Sequence, residues 1–166
     1  MNILILGGYG TFGGRLAHLL AEDKRLTLFI AGRSIQKAKK FCEGLPSGAQ
    51  KVPVFFDRNA DVETRIQEIR PDIVVDAMGP FQVYGEDPYR VVKACIASGV
   101  DYMDLADGSD FVKGIHQFDH EAKAKNLYVL TGVSSFPVLS AAVVRKLSRD
   151  MTCVKTIKGE IGRAHV

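Results

Sequence analysis

The stretch Ile3-Leu4-Ile5-Leu6-Gly7-Gly8-Tyr9-Gly10-Thr11-Phe12-Gly13-Gly14 decides how this chain is read. Apolar β-formers run straight into glycines, and beyond them Phe12, Leu16, Leu19 and Leu20 recur at helical spacing. A buried strand, a tight turn and a helix N-terminus are therefore expected in succession. Gly8, Gly10 and Gly13 fit G-x-G-x-x-G. Gly8 is expected to permit the turn, Gly10 to let the backbone approach a pyrophosphate, and Gly13 to let the helix pack on the strand. The helix start would offer free N–H groups and a positive dipole end to phosphates. Tyr9, Thr11 and Phe12 join these glycines as candidate cofactor-binding residues. A glycine-rich turn with no ligand is the competing reading; the strand before it and the amphipathic helix after it argue for the ligand.

Outward from this turn, strand-like and helix-like segments alternate. Near-continuous apolar runs occur at Ile3–Leu6, Leu26–Ala31, Val52–Phe56, Ile73–Ala77, Tyr102–Leu105 and Leu127–Thr131. Such runs suit parallel strands covered on both faces. Helical segments are expected at Thr11–Glu22, Ile35–Glu43, Val62–Ile69, Pro88–Ser98 and Phe111–Lys125, with Ser34 and Asp61 as N-caps and Gly44 and Gly99 as stops. The fold class is therefore α/β, a doubly wound parallel sheet of the Rossmann NAD(P)-binding type. Residues 1–150 are expected to form this domain. Ser134-Ser135-Phe136-Pro137 reads as a loop leading into a helix at Val138–Leu147, and a strand is expected to start near Cys153. Residues 151–160 are read as the start of a second domain before which the chain is truncated. The last residues, Ile161-Gly162-Arg163-Ala164-His165-Val166, coincide with a translation of a common sequencing-adapter string and are expected to be non-native.

Composition narrows the function classes. The net charge of +3 is modest and its Lys and Arg residues are scattered apart from Lys37, Lys39 and Lys40, so no nucleic-acid stripe is present. No apolar run approaches the roughly 18 residues that span a bilayer. Cys42, Cys95 and Cys153 are too widely spaced for a metal motif or a disulfide framework, and read as reduced thiols of a cytoplasmic protein. The expected partner is a small-molecule substrate, with homodimerisation, if it occurs, through the missing part.

The end of the second strand bears on cofactor choice. An NAD site usually carries Asp or Glu there, to accept from the ribose 2′-OH. This chain reads Ala31-Gly32-Arg33-Ser34. Arg33 can pair with a 2′-phosphate, Ser34 can donate to it while capping the next helix, and Lys37 adds charge. NADP(H) is therefore favoured over NAD(H). Asp57, after the third strand, can meet the adenine amine or simply initiate a helix. After the fourth strand, Met78-Gly79-Pro80 would fix the backbone beside the pyrophosphate and nicotinamide ribose, at the point where strand order reverses.

These stretches together carry a resemblance. The Gly7–Gly14 turn with Ala31-Gly32-Arg33-Ser34, the segment Gly79-Pro80-Phe81 with Tyr84-Gly85 running into Val91-Val92-Lys93-Ala94-Cys95 and Gly99-Val100-Asp101-Tyr102-Met103-Asp104-Leu105, and Phe136-Pro137 resemble the NADP-binding domain of saccharopine dehydrogenase and saccharopine reductase-like proteins. The resemblance covers about the first 150 residues. It implies hydride transfer between NADP(H) and a carbonyl, imine or secondary-amine substrate. Relatives carry an acidic residue soon after Ser-x-Pro; here Val138-Leu139-Ser140 follows, which points to a saccharopine dehydrogenase-like member rather than to saccharopine chemistry itself. Catalytic acid and base residues are not identifiable, and the fragment is expected to bind nucleotide without turning over substrate alone.

Other chemical-looking residues carry less. His116 and His120 have zinc spacing without a third ligand, and Ser134 and Ser135 lack a nucleophile elbow. Tyr84 reads as a buried tyrosine with a satisfied hydroxyl. Asp104 and Asp107 lie at the ligand-facing edge. Two alternatives stand: a short-chain reductase or epimerase using Tyr89 and Lys93 as its Tyr-x-x-x-Lys pair, and a non-catalytic NADP-sensing module.

Overall fold

The structure, a computed structural model, describes residues 1–134 and 138–158. Six parallel strands, β1 (Asn2–Leu6), β2 (Thr27–Gly32), β3 (Gln50–Phe55), β4 (Ile73–Asp76), β5 (Asp101–Asp104) and β6 (Val129–Leu130), lie in the order β3-β2-β1-β4-β5-β6. This is the doubly wound order with its reversal between β1 and β4. Strand side chains alternate between faces. Leu4, Leu6 and Val74 face one core with Val62 and Ile66 of α3 (Val62–Ile69) and Val91, Val92 and Cys95 of α4 (Arg90–Ser98). Ile3, Ile5 and Ile30 face the other core, with Ala17 of α1 (Thr11–Leu20) and, packed against it, Phe41 of α2 (Ile35–Glu43). Both faces being covered explains why the strand sequences are apolar without alternation.

Local chemistry sets the boundaries. The Ser34 hydroxyl accepts from the Lys37 N–H at 3.3 Å and the Asp61 carboxylate from the Thr64 N–H at 3.1 Å, capping α2 and α3. Gly99 ends α4 at φ +71°.

The left-handed residue of the first turn is Gly7, at φ +70°. Two expectations are corrected. The single helix expected over 111–125 is instead α5 (Ser109–Gly114), a 3-10 turn (Ile115–Phe118) and α6 (Asp119–Ala124). Where the helix gives way, the Tyr89 hydroxyl donates to the Phe111 carbonyl at 3.0 Å and lies where a Cβ on residue 114 would stand. Finally, no strand forms near Cys153 among the described residues. Residues 151–158 are exposed, and no ladder reaches them from the sheet, which ends at β6. The helix expected from Val138 is α7 (Ser140–Leu147). Ser135-Phe136-Pro137 and the 161–166 tail lie outside the described residues.

Gly13 is the tightest joint. A Cβ there would overlap the Gly7 carbonyl oxygen and sit 2.9 Å from the Gly7 carbonyl carbon, backbone that cannot give way. Gly13→Ala is expected to lower the unfolding free energy by about 3 kcal/mol. Gly44→Ala, right-handed and with its nearest neighbour 3.7 Å away, is expected to change it by less than about 1 kcal/mol. Urea titrations of the two variants check the contrast; equal losses would contradict it.

Candidate functional site

Parallel strands place all their carboxyl ends at one edge. Chain leaving β1 turns toward β2, and chain leaving β4 toward β5, so a crevice opens between the two turns. It is a cleft of about 890 Å³. Tyr9, Gly10, Thr11 and Phe12 line it from the first turn, Arg33 from the end of β2, Asp57 from beyond β3, and Met78, Gly79 and Pro80 from beyond β4. Gly8, Gly13 and Ser34 stand behind this wall. Gly8 and Gly13 are buried backbone that lets the turn close.

The phosphate-facing part is built from backbone. No side chain caps α1 and no acid lies in its first turn, so its opening N–H groups keep their capacity for an anion. At Gly10 the nearest atom to an added Cβ is the Gly7 oxygen at 3.1 Å, with nothing else within 4 Å. The turn is anchored sideways. The Tyr9 ring covers Gly32, and its hydroxyl accepts from the Ser34 N–H at 3.0 Å. Arg33 is exposed and, among the described residues, has no ion-pair partner. Asp57 accepts from the Asn59 N–H at 3.0 Å. Helix initiation belongs to Asp61, and the Asp57 carboxylate, where it lines the cleft, also ties down its own turn.

The opposite wall is built from side chains. The Gly79–Pro80 peptide is cis, and a 3-10 turn (Phe81–Val83) follows. Asp76, fully buried at the end of β4, accepts from the Met78 N–H at 3.0 Å and from the Tyr84 hydroxyl at 3.2 Å. Its partner in register is Asp104, also fully buried, which accepts from the Ala106 N–H, the Gly132 N–H and the Thr131 hydroxyl at 2.8–2.9 Å. Arg58 lies 3.6 Å over the Tyr84 ring. Tyr84 is thus the satisfied tyrosine expected, while Asp104 supports the edge from inside and Asp107 lines the cleft, taking a hydrogen bond from Gln82 at 2.9 Å. The roles of Asp76 and Arg58 were not read from the sequence. The available signal was an acid closing each of two apolar strands.

Other candidates fall away from the site. The Tyr89 hydroxyl is spent on the Phe111 carbonyl and Lys93 pairs with Asp87 at 2.9 Å, so the Tyr-x-x-x-Lys pair of the short-chain alternative is not assembled. His116 and His120 are exposed. No group of metal-ligating side chains occurs among the described residues, and none of their helices is long and apolar enough to cross a membrane.

Burial pushes the Asp76 carboxyl up from 3.8 to about 6, against the Met78 and Tyr84 hydrogen bonds. Burial raises Asp104 as well. A folded-state value above the unfolded one means that the protonated form is favoured by folding. This contribution is complete below about pH 4 and is lost as pH rises through 6. The unfolding free energy of the unmutated chain minus that of Asp76→Asn is expected to fall by about 3 kcal/mol between pH 4 and 7. Denaturant titrations across that range check it; a flat difference would refute the assignment.

Comparison with known proteins accords with this geometry. The family model for the saccharopine dehydrogenase NADP binding domain matches residues 3–132. A Mycobacterium tuberculosis protein assigned provisionally as a trans-acting enoyl reductase is 32% identical over 128 residues, covering 74% of this chain and 29% of that protein. The saccharopine dehydrogenase-like oxidoreductase of Mus musculus is 26% identical over 156 residues, covering 84% of this chain and 35% of that one. Saccharopine dehydrogenase (L-Glu forming) from Saccharomyces cerevisiae shares the fold at a TM-score of 0.69 and 18% identity, over 90% of this chain and 31% of that one. The chain thus spans about a third of the length of these curated relatives. A family match of that extent shows membership: this chain belongs to the saccharopine dehydrogenase NADP-binding domain family, and its cofactor is NADP(H).

Proposed function

We propose that the chain is the cofactor-binding part of an NADP(H)-dependent oxidoreductase that moves hydride between the nicotinamide and a carbonyl, imine or secondary-amine substrate. The observation that carries this reading is the Arg33 guanidinium, exposed and without an ion-pair partner among the described residues, at the end of β2 where an NAD site would place a carboxylate. Arg33 holds the 2′-phosphate with Ser34, whose hydroxyl accepts from the Lys37 N–H and turns its proton to the phosphate from a long contact with Gln36 Oε1 at 3.5 Å. The α1 N-terminus, with Gly8, Tyr9, Gly10, Thr11, Phe12 and Gly13 shaping it, receives the pyrophosphate. Asp57 meets the adenine amine, and Met78, Gly79 and Pro80 flank the nicotinamide ribose.

NADP(H) supplies the hydride, and the chain supplies binding, orientation and a dry wall. Asp76 and Asp104 do not face the cleft as acid or base. Asp107 lines the cleft but is held by Gln82 at 2.9 Å, and the greater length of the relatives favours placing the group that handles the substrate proton outside this domain. The free thiols at Cys42, Cys95 and Cys153 fit a cytoplasmic location.

One charge-assisted bidentate contact is worth roughly 1.5–3 kcal/mol, or about tenfold to a hundredfold in affinity. Arg33→Asp is expected to weaken NADP+ binding by that factor and to leave NAD+ binding equal or stronger, as read by calorimetric titration. Equal affinity of the unmutated chain for the two cofactors would sink the assignment.

A further inference from the structure

Arg58 follows Asp57 in the loop beyond β3, on the wall assigned to the adenine, and lines the cleft. Its hydrogen-bonding edge is nevertheless committed elsewhere. It donates to the Tyr84 carbonyl at 3.1 Å and, more weakly, to the Asp87 and Pro88 carbonyls at 3.4 and 3.5 Å. Its plane covers the Tyr84 ring at 3.6 Å. Nε is buried from solvent without a partner, so it does not reach into the cleft either. Arg90 donates to the Arg58 and Asn59 carbonyls at 3.5 and 3.2 Å and holds this loop from behind.

The contacts continue. The Tyr84 hydroxyl donates to Asp76 Oδ1 at 3.2 Å, and the same oxygen accepts the Met78 N–H at 3.0 Å. An unbroken line of contacts thus runs from the loop after β3, through the segment after β4, to the backbone of the opposite wall. Met78 is only partly buried and Gly79 and Pro80 are exposed, so this line is one lateral restraint on that wall, beside the Ala77 N–H bonded to the Leu6 carbonyl at 3.0 Å.

We propose that Arg58 is a positioning residue for the nicotinamide end of the cleft, acting through Tyr84 and Asp76 on Met78 and Gly79 although it belongs to the adenine-side loop. The proposal rests on the cofactor placement given above. A guanidinium beside the adenine would ordinarily be assigned to phosphate or to the ring itself. Its engagement by Tyr84 and three carbonyls gives the opposite expectation: its loss is felt at the far end of the cleft and not at the near end.

Amide hydrogen exchange without cofactor, together with the dissociation constants of 2′,5′-ADP and NADPH, tests this in the unmutated chain, Arg58→Gln and Tyr84→Phe. Both variants are expected to speed exchange of the Met78 amide about fivefold to tenfold, the effect of one net hydrogen bond. Both raise the NADPH constant by a similar factor and leave that of 2′,5′-ADP within about twofold. The double variant is no worse than the weaker single one, because the residues act in series. If Arg58→Gln weakens 2′,5′-ADP as much as NADPH, Arg58 touches the adenine half directly and the proposal is overturned. It is equally overturned if Met78 exchange or NADPH affinity does not change. Should Arg58→Gln not fold, Arg58→Lys takes its place, keeping the charge while losing the planar stack. Failure of the unmutated chain to bind 2′,5′-ADP would sink the cofactor placement, and the exchange measurement would still decide the linkage.

Discussion

The cleft depends on one backbone-to-backbone approach, the first turn of α1 resting against the carbonyl of Gly7. Any side chain at residue 13 would drive these two pieces of main chain apart. With glycine there, the helix can start almost on top of the strand that feeds it, and its unpaired N–H groups point over the carboxyl edge of the sheet. Gly7 adds the second condition. Its left-handed backbone reverses the chain beside β4, where an added Cβ would lie 2.9 Å from the Ala77 carbonyl oxygen. The first turn and the segment after β4 are therefore in contact through main chain. Neither wall of the crevice can be displaced without disturbing the other.

The second wall meets the same demand by a different and costlier device. Where β4 and β5 end, the chain must change direction while its N–H groups stay satisfied. Carboxylates do this from inside: Asp76 takes the N–H two residues on, and Asp104 takes the N–H two residues on plus two donors from beyond β6. Parallel register brings the two acids side by side. Burying both is unfavourable, which is why both are pushed above the ordinary carboxylate range, and among the described residues the second oxygen of Asp76 has no hydrogen-bond partner. An apolar pair would pack more cheaply. The strand ends that break the burial rule are the ones bordering the cleft, where departures from local rules concentrate.

How much of this could be read beforehand follows from which groups do the work. Strands buried on both faces need continuous apolar runs, and helices between them need caps, so element order and fold followed from residues such as Ile3–Leu6 and Ser34. That Arg33 and the glycine turn border the cleft was legible because each sits directly at the end of its own strand. The rest depends on partners distant in sequence. Nothing near Gly114 announces that Tyr89, 25 positions earlier, will take a carbonyl of its helix. Nothing near Arg58 announces Tyr84, and an aspartate closing an apolar strand reads equally well as ligand-facing or inward-facing until the register with β5 is known. The strand expected near Cys153 failed for a related reason, since apolar composition specifies a strand only where a neighbour offers a ladder.

Arg33 and Arg58 make the point within a single cleft. Each follows a parallel strand by no more than three residues, and each lines the same crevice. Residue type and position would assign both to the cofactor's phosphates. The difference lies in what surrounds each guanidinium. Arg33 stands exposed with no ion-pair partner among the described residues, so its charge costs the free protein little and stays available to an anion. Arg58 is half-buried, stacked on an aromatic ring and bonded to carbonyls, so turning it toward a ligand would forfeit those contacts and leave their oxygens unpaired. An arginine already spent on the protein is a poor ligand for a phosphate but a good tie between loops. Under the proposed function, one positive residue of this crevice is free for recognition, and the other ties its walls together.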